Sequence, residues 1–307
     1  MCIRDSDSTM ADSKAKQKSM TRAFSLCALA YVIALCVAVI IVYALGDRHP
    51  ILIVFTADIA ATLVIYAFAR VFRNASFYDP YWSVAPLAIA LYYTLVASSG
   101  DVVLIRQVFV VTLVFIWGIR LTLNWARQWR GLGHEDWRYA NFRSKSKGWF
   151  WIVELMGIEM MPTTIVFLGC LSLYPALATG TNPFGVLDWI AIVVTAGAII
   201  LETTADEQLR KFVKAKPKPG KIMSTGLWAY SRHPNYLGEI MLWWGLFLFA
   251  LSADLSYWWV VVGPVAMTVL FIFISIPMMD KRNVERKPGY EEHMRRVPAL
   301  FPWFPKK

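Results

Sequence analysis

Long apolar stretches separated by short polar connections run through most of the chain. A helix needs about 20 apolar residues to cross the roughly 30 Å hydrocarbon core of a bilayer. Eight stretches approach that length: Ala23–Leu45, Ile51–Ala69, Asp79–Ala97, Val102–Trp125, Trp149–Ala176, Val186–Arg210, Tyr236–Leu251 and Tyr257–Met278. The stretch from Tyr236 is short, so seven spans are the alternative. Because the runs are continuous rather than alternating, transmembrane β-strands are excluded. The pattern predicts an all-α, polytopic membrane bundle.

Basic residues alternate along the connections. Lys and Arg are frequent before the first span, after the second, fourth and sixth spans, and in the C-terminal tail, and they are rare or absent in the other connections. By the positive-inside rule, this alternation predicts eight spans with both termini cytoplasmic. The net charge of +10 is then a consequence of topology and of contact with membrane lipids. Nucleic-acid binding is not predicted, because the basic residues are spread over all the cytoplasmic segments.

The polar residues outside these stretches restrict the remaining classes. Residues 1–21 are polar and are predicted to be disordered, and the first apolar stretch is predicted to be a retained anchor rather than a cleaved signal. The four cysteines form no CxxC pair, and the four histidines have no partner at ligand spacing. We therefore expect neither a disulfide framework nor a metal site. The chain has no GxGxxG, GxxxxGK[ST] or GxSxG motif, so a nucleotide would have to be held by the helices and their loops.

Charged residues within apolar stretches are costly and mark candidate sites. Arg106 is expected to snorkel to the outer interface. Arg120, nearer the cytoplasmic side, could meet an anion or could be an interfacial anchor. Glu202, Asp206 and Arg210 recur at intervals of four residues, which places them on one helical face. An intrahelical ion-pair ladder is the alternative interpretation of this face.

The run Gly226–Glu239 concentrates polar residues at a predicted helix start. Pro234 suits the first turn, and Ser231 or His233 could cap it. A helix N-terminus favours phosphate, and Arg232 and His233 add donors at the same place. Asn235 and Glu239 lie one turn apart, so the run predicts a functional site rather than a simple interfacial helix start.

These residues resemble a known family. The run Ser231–Glu239 is similar to the C-terminal half of the steroid 5α-reductase superfamily, most of all to its bacterial inner-membrane branch, the DUF1295 type. Further similarity lies in Asp79-Pro-Tyr-Trp-Ser83, in Arg120 with Asn124–Arg127 and Glu135–Tyr139, and in Gly289-Tyr290 with Pro298–Trp303. The core of the run also resembles isoprenylcysteine carboxyl methyltransferases.

The resemblance implies a domain over residues 75–307, with substrate-side helices at 75–176 and cofactor-side helices and loops at 177–307, preceded by extra transmembrane helices at 22–74. It implies an NADPH-dependent reductase acting on the C=C bond of a lipophilic α,β-unsaturated carbonyl compound, in a bacterial inner membrane. We expect a monomer. The cofactor-binding residues implied by motif position are Arg120, Asp206, Arg210, Lys221, Ser231, Arg232, His233, Asn235, Tyr236 and Glu239.

Reduction of such a double bond places negative charge on the carbonyl oxygen, which a hydrogen-bond donor stabilises. The motif at the entrance of the third stretch nominates Asp79, either as this donor or as a helix N-cap. The resemblance implies a tyrosine donor near position 117. This chain has Trp117 there, and Tyr81, Tyr92 or Tyr93 could substitute for the tyrosine. We take Asp79 and Tyr81 as the catalytic candidates.

Two other functions remain open. An S-adenosylmethionine-dependent methyltransferase is the first alternative. The loop from Arg210 to Lys221 holds six basic residues in twelve, which favours a ligand that carries phosphate. A transporter or an assembly partner is the second, and the lack of repeated halves argues against it.

Overall fold

The computed structural model describes residues 4–96 and 102–304, with side chains from residue 19, and no strand occurs in these ranges. We number the principal helices α1 to α9. They are α1 (Arg4–Leu45), α2 (Pro50–Phe72), α3 (Tyr81–Leu95), α4 (Leu104–Gln128), α5 (Trp137–Thr179), α6 (Val186–Lys214), α7 (Pro234–Ala253), α8 (Leu255–Arg286) and α9 (Tyr290–Arg296). The all-α prediction is confirmed. The predicted connection 98–101, and Ala97 before it, lie outside the described residues.

Seven of these helices are long and apolar enough to cross a membrane, counted over the described residues: α1 from Ser19, α2 and α4 to α8. The stretch from Tyr236 that we expected to be short belongs to α7, a helix of 20 residues. The short helix is instead α3, which has 15 residues and is therefore about 22 Å long. It begins late because Ala75–Phe77 form a 3₁₀ turn and Pro80 precedes the first helical residue.

The N-terminal segment differs from the prediction. Helix α1 begins at Arg4, whereas disorder was predicted over 1–21, so residues 4–21 are helical instead. The polar residues continue the apolar helix that follows, since the apolar stretch itself begins at Ala23. A helix already nucleated by an apolar span extends at low cost, because each added residue gains a hydrogen bond.

The described chain divides into two compact units. Unit 1 comprises Met1–Ala88 and Gly118–Phe167, and unit 2 comprises Ile89–Trp117 and Leu168–Lys307. Helices α3 and α4 each continue from one unit into the other. In unit 1, an aromatic core joins α1 to the end of α4, where Phe24 packs edge-on against Trp125 and Trp129. A hydrogen bond also links α2 to α5 in this unit, where the hydroxyl oxygens of Thr62 and Thr163 are 2.9 Å apart.

Unit 2 is organised by close packing of α6 against α7. A Cβ on Gly245 would overlap the Thr195 hydroxyl, and a Cβ on Gly238 would lie 2.7 Å from Cβ of Glu202. Small residues allow the backbones of membrane helices to approach in this way. This contact holds the start of α7, where the polar run lies, beside the C-terminal half of α6.

Arg106 does not snorkel to the interface as predicted. Its side chain is fully buried in unit 2, where Nε and Nη2 donate to the two carboxylate oxygens of Asp188 at 2.7 and 2.9 Å. Nη2 also donates to the backbone carbonyl of Asn182 at 3.0 Å. The Asp188 carboxylate neutralises the charge of the arginine through two hydrogen bonds, and the guanidinium can therefore remain buried away from water.

Candidate ligand-binding site

A pocket in unit 2 opens beside the start of α7. It encloses about 570 Å³ of empty space, including the solvent at its mouth. Its lining combines apolar and aromatic side chains with polar and basic side chains. The lining residues are Leu209, Ile222, Met223, Trp228, Arg232, His233, Asn235, Tyr236, Met279, Asn283, Lys287, Tyr290 and His293. Such a lining suits a ligand with a flat ring and an anionic group.

The loop between α6 and α7 supplies part of the apolar lining. Gly226 has φ +61°, and a Cβ there would meet the side chain of Gln208. The Gln208 side-chain oxygen accepts from the backbone N–H of Leu227 at 2.9 Å, and the Trp228 indole donates to the Ala205 carbonyl at 3.0 Å. These bonds fasten the loop to α6, so the wall formed by Met223 and Trp228 has a defined position.

The polar run begins α7 as predicted, with Pro234 in the first turn and His233 at the N-cap. Neither proposed side-chain cap forms, because the His233 side chain makes no capping bond and Ser231 accepts from the His233 backbone N–H at 3.3 Å. The His233 ring instead stacks on Tyr236, with 5.2 Å between centroids and 8° between planes. Both rings line the pocket.

Asp280, near the end of α8, connects this run to the C-terminal segment. Its carboxylate accepts from Arg232 at 2.8 and 3.4 Å, from His233 Nε2 at 3.0 Å and from the Tyr290 hydroxyl at 3.0 Å. Arg232 Nη1 donates in addition to the backbone carbonyls of Met294 and Val297. Arg232 and His233 were predicted to offer donors to a phosphate. The structure directs these donors to the protein itself, because a carboxylate and two carbonyls lie within their reach.

Lys287 and His293 carry the other basic groups of the pocket. The Lys287 ammonium lies 5.7 Å from the centroid of the Tyr290 ring, and burial lowers its pKa. The pKa of His293 is lowered by burial and then by the positive charges of Arg232 and Lys287. Burial raises the pKa of Tyr290, and the adjacent Asp280 carboxylate raises it further. This end of the pocket therefore holds a lysine for which no carboxylate partner occurs in the described residues, and a histidine whose lowered pKa disfavours its charged form.

The remaining predicted cofactor residues of unit 2 are dispersed around the pocket. Asp206 accepts from the Asn235 amide at 3.3 Å and thereby orients a lining residue. Arg210 pairs with Glu207, three residues earlier on α6, at 2.6 Å. Ser231 is buried and donates to the Ala299 carbonyl at 3.1 Å. Lys221 is exposed in the loop and is not among the lining residues.

Glu239 and Arg120 lie elsewhere. The two carboxylate oxygens of Glu239 accept the indole N–H groups of Trp117 and Trp243, each at 3.0 Å, and the side chain is buried. The tryptophan that replaces the expected tyrosine at position 117 is thus a partner of this glutamate. Arg120 is partly buried in α4 and belongs to unit 1.

The catalytic candidates Asp79 and Tyr81 have different partners in unit 1. Asp79 lies between α2 and α3, where its carboxylate accepts from the Tyr139 hydroxyl at 2.6 Å. Burial raises the pKa of Asp79 to about 6. The Tyr81 hydroxyl donates to Asp58, at 2.7 Å to the carboxylate and 3.0 Å to the backbone carbonyl. The two side chains thus have different hydrogen-bond partners, and their catalytic role stays a prediction.

The sequence analysis missed the part of the pocket formed by the end of α8 and by α9. Asp280 and Asn283 lie three residues apart in α8, Tyr290 and His293 lie three residues apart in α9, and Lys287 lies between the two helices. Within each helix that spacing places polar residues on one face, and it could have nominated them. We had assigned the basic residues of this segment to topology alone.

Comparison with known proteins gives a family. Residues 65–297 match the family described as "Protein of unknown function (DUF1295)". The chain is 25% identical over 252 residues to "Uncharacterized protein C594.04c" of Schizosaccharomyces pombe (strain 972), an alignment that covers 75% of this chain and 73% of that protein. No solved structure matches. Because the family match covers most of the chain and includes every residue of the pocket, the chain belongs to the DUF1295 family.

Proposed function

We propose that this membrane protein is an NADPH-dependent reductase that acts on the C=C bond of a lipophilic α,β-unsaturated carbonyl compound. One observation carries the proposal. The pocket joins an apolar and aromatic lining to an end that holds the Lys287 ammonium, and it lies beside helices that are apolar enough to cross a membrane. A nicotinamide nucleotide combines flat rings with phosphate groups, and it fits this set of side chains.

The lining residues would hold the nucleotide by ordinary contacts. Trp228 and Tyr236 offer flat faces for a ring, Asn235 and Asn283 offer amide donors and acceptors, and Lys287 offers a positive charge. When bound, NADPH supplies the hydride for the β-carbon of the substrate, and the α-carbon takes a proton. The resemblance of the run Ser231–Glu239 to steroid 5α-reductases supports this activity.

Asp206 and Asp280 would act through their neighbours. Asp206 holds the amide of Asn235, and Asp280 holds Arg232 and His233. Both acids therefore fix the orientation of lining groups before a ligand arrives, which lowers the entropic cost of binding. A donor for the substrate carbonyl is proposed at Tyr81 or Asp79 from the motif that contains them, which lies in the matched family region.

An S-adenosylmethionine-dependent methyltransferase is the competing function. The methyl donor carries a sulfonium cation and no phosphate. The Lys287 ammonium would repel a cation in the same pocket, since like charges in partly buried sites are poorly screened. The charge of the pocket thus favours the reductase.

Isotope transfer tests the proposal directly. The detergent-solubilised protein is incubated with a panel of lipid enones and NADPH carrying deuterium on both faces of C4, and the products are examined by mass spectrometry. We expect a saturated carbonyl product with one deuterium. Ligand at one hundred times its dissociation constant should also stabilise the fold by about 2.7 kcal/mol.

Asn235→Ala tests the binding site, and Asn182→Ala is its matched control. Asn235 lines the pocket, whereas Asn182, whose backbone carbonyl accepts from Arg106, does not. Asn235→Ala should weaken NADPH binding, and Asn182→Ala should leave it unchanged. Stabilisation by S-adenosylmethionine but not by NADPH, with transfer of a labelled methyl group, would assign the methyltransferase instead.

A further inference from the structure

The basic groups of the pocket fall into two classes. Arg232 directs its guanidinium to Asp280 and to the backbone carbonyls of Met294 and Val297, and His233 directs Nε2 to Asp280. A guanidinium with these partners is already neutralised and has little left to offer a ligand. These two side chains are the ones that the sequence nominated for phosphate binding.

Lys287 and His293 belong to the other class. Neither forms an ion pair with a carboxylate in the described ranges 19–96 and 102–304. Both side chains are partly buried. The Lys287 ammonium faces an aromatic ring at 5.7 Å, and the charges around His293 are mostly positive. An unneutralised positive charge at the edge of a pocket is stabilised most by an anion that enters with the ligand.

The charge of the anion can be narrowed. At neutral pH a phosphate monoester carries close to two negative charges, whereas each phosphate of a diphosphate bridge carries about one. The monoester concentrates this charge on one phosphate, whereas the bridge spreads it over two, and a single phosphate can be reached by both Lys287 and His293, which lie against the same Tyr290 ring. The apolar lining at Leu209, Met223 and Trp228 suits the base of the same nucleotide.

We propose that Lys287 and His293 form an anion subsite that binds a phosphate monoester on the ribose of a nucleotide. The subsite would let the pocket distinguish NADPH, which carries this ribose phosphate, from NADH, which lacks it. This inference rests on the proposed function for the identity of the whole ligand. The subsite itself requires only a nucleotide that carries a second phosphate, a monoester at the 2′ position of its ribose.

Binding measurements on the full-length protein in detergent test the subsite. Dissociation constants are measured for NADPH and NADH on the wild type and on Lys287→Met. Wild type should prefer NADPH. Lys287→Met should weaken NADPH binding about 10- to 100-fold, as expected for loss of one hydrogen bond between charged groups, and should change NADH binding less than twofold. His293→Gln should act in the same direction.

The matched control is Lys281→Met, since Lys281 is an exposed lysine of α8, six residues before Lys287, and does not line the pocket. It makes the same change of charge and should leave both constants unchanged. Lys287→Arg keeps the positive charge and should retain most of the preference for NADPH. Melting temperatures of all variants show whether the fold is intact, and Lys287→Arg keeps the test informative if Lys287→Met does not fold.

A second probe separates this inference from the proposed function. Adenosine 2′,5′-bisphosphate carries the ribose phosphate but no nicotinamide, and adenosine 5′-monophosphate lacks that phosphate. The bisphosphate should bind more tightly, and Lys287→Met should remove the difference. If this holds while no deuterium is transferred from NADPH, the subsite stands and the reductase activity is wrong. Equal loss of NADPH and NADH, or loss of neither, would overturn the subsite.

Discussion

Asp280 should be the residue whose loss most destabilises the C-terminal part of unit 2. It accepts two hydrogen bonds from Arg232, one from His233 and one from Tyr290. The side chains of Arg232 and Asp280 are only 9% and 7% exposed. Asp280→Ala therefore leaves a largely buried guanidinium without its counter-charge. Removal of one partner of a buried pair costs about 3–5 kcal/mol.

The expected loss can be measured by thermal unfolding in detergent, followed by tryptophan fluorescence. At roughly 2 °C per kcal/mol for a chain of this size, Asp280→Ala should melt about 6–10 °C below the wild type. Glu285→Ala is the matched control, because Glu285 is an exposed acid on the same helix. Its effect should stay within about 0.5 kcal/mol.

A double variant separates the lost ion pair from lost packing. Replacement of a buried pair by apolar residues is often close to neutral, so Arg232→Met with Asp280→Leu should be more stable than Asp280→Leu alone. The coupling energy between the two positions should be about 1–3 kcal/mol. A melting temperature of Asp280→Ala within 1 °C of the wild type, or a double variant no better than Asp280→Leu, would refute the reasoning.

Three further predictions concern packing, pH and topology. Gly245→Ala should destabilise the protein by about 1–3 kcal/mol, because the new Cβ overpacks against Thr195. Gly197→Ala is the control and should not destabilise it, because nothing lies within 4 Å of the new Cβ. Equal melting temperatures of the two variants would contradict the close contact of α6 and α7. Because the pKa of folded Asp79 is raised to about 6, the folded state binds the extra proton, and the stability this contributes is present below about pH 4 and lost as the pH rises through 6. Asp79→Asn should therefore be stabilising by up to about 3 kcal/mol at pH 8, with the gain shrinking towards pH 5 in thermal unfolding, and a gain independent of pH would contradict the buried carboxyl. Reporter fusions at the two termini should lie on the same, cytoplasmic side if α3 crosses the membrane, and termini on opposite sides would show that it does not.

The helical architecture could be predicted well because bilayer thickness sets a length that a sequence shows directly. The reduced length of α3 has a local cause. The apolar stretch from Asp79 contains enough residues to span, but Pro80 and the preceding 3₁₀ turn delay the helix to Tyr81. Hydropathy counts apolar residues and does not register where the backbone becomes helical.

Contacts between side chains were harder to predict than helices. Hydropathy alone predicts that Arg106 reaches the interface. It does not show that Asp188, 82 residues later in the chain, packs against Arg106 in the folded protein. Glu239 was assigned to a ligand, yet it accepts indole N–H groups from Trp117 and Trp243. A polar group in an apolar stretch needs a reason to be there, and in both cases only the fold identified the partner that provides it.

The run Ser231–Glu239 illustrates how a motif can mark a site without supplying its ligand contacts. Arg232 and His233 bind Asp280, and this binding draws the end of α8 and the segment after it against the start of α7. Lys287 and His293 line the pocket because that segment is held there. The motif residues thus build the pocket, and the side chains that remain available to an anion come from a segment 50 to 60 positions later. It follows that Asp280→Ala should impair ligand binding and stability together, whereas Lys287→Met should impair binding alone.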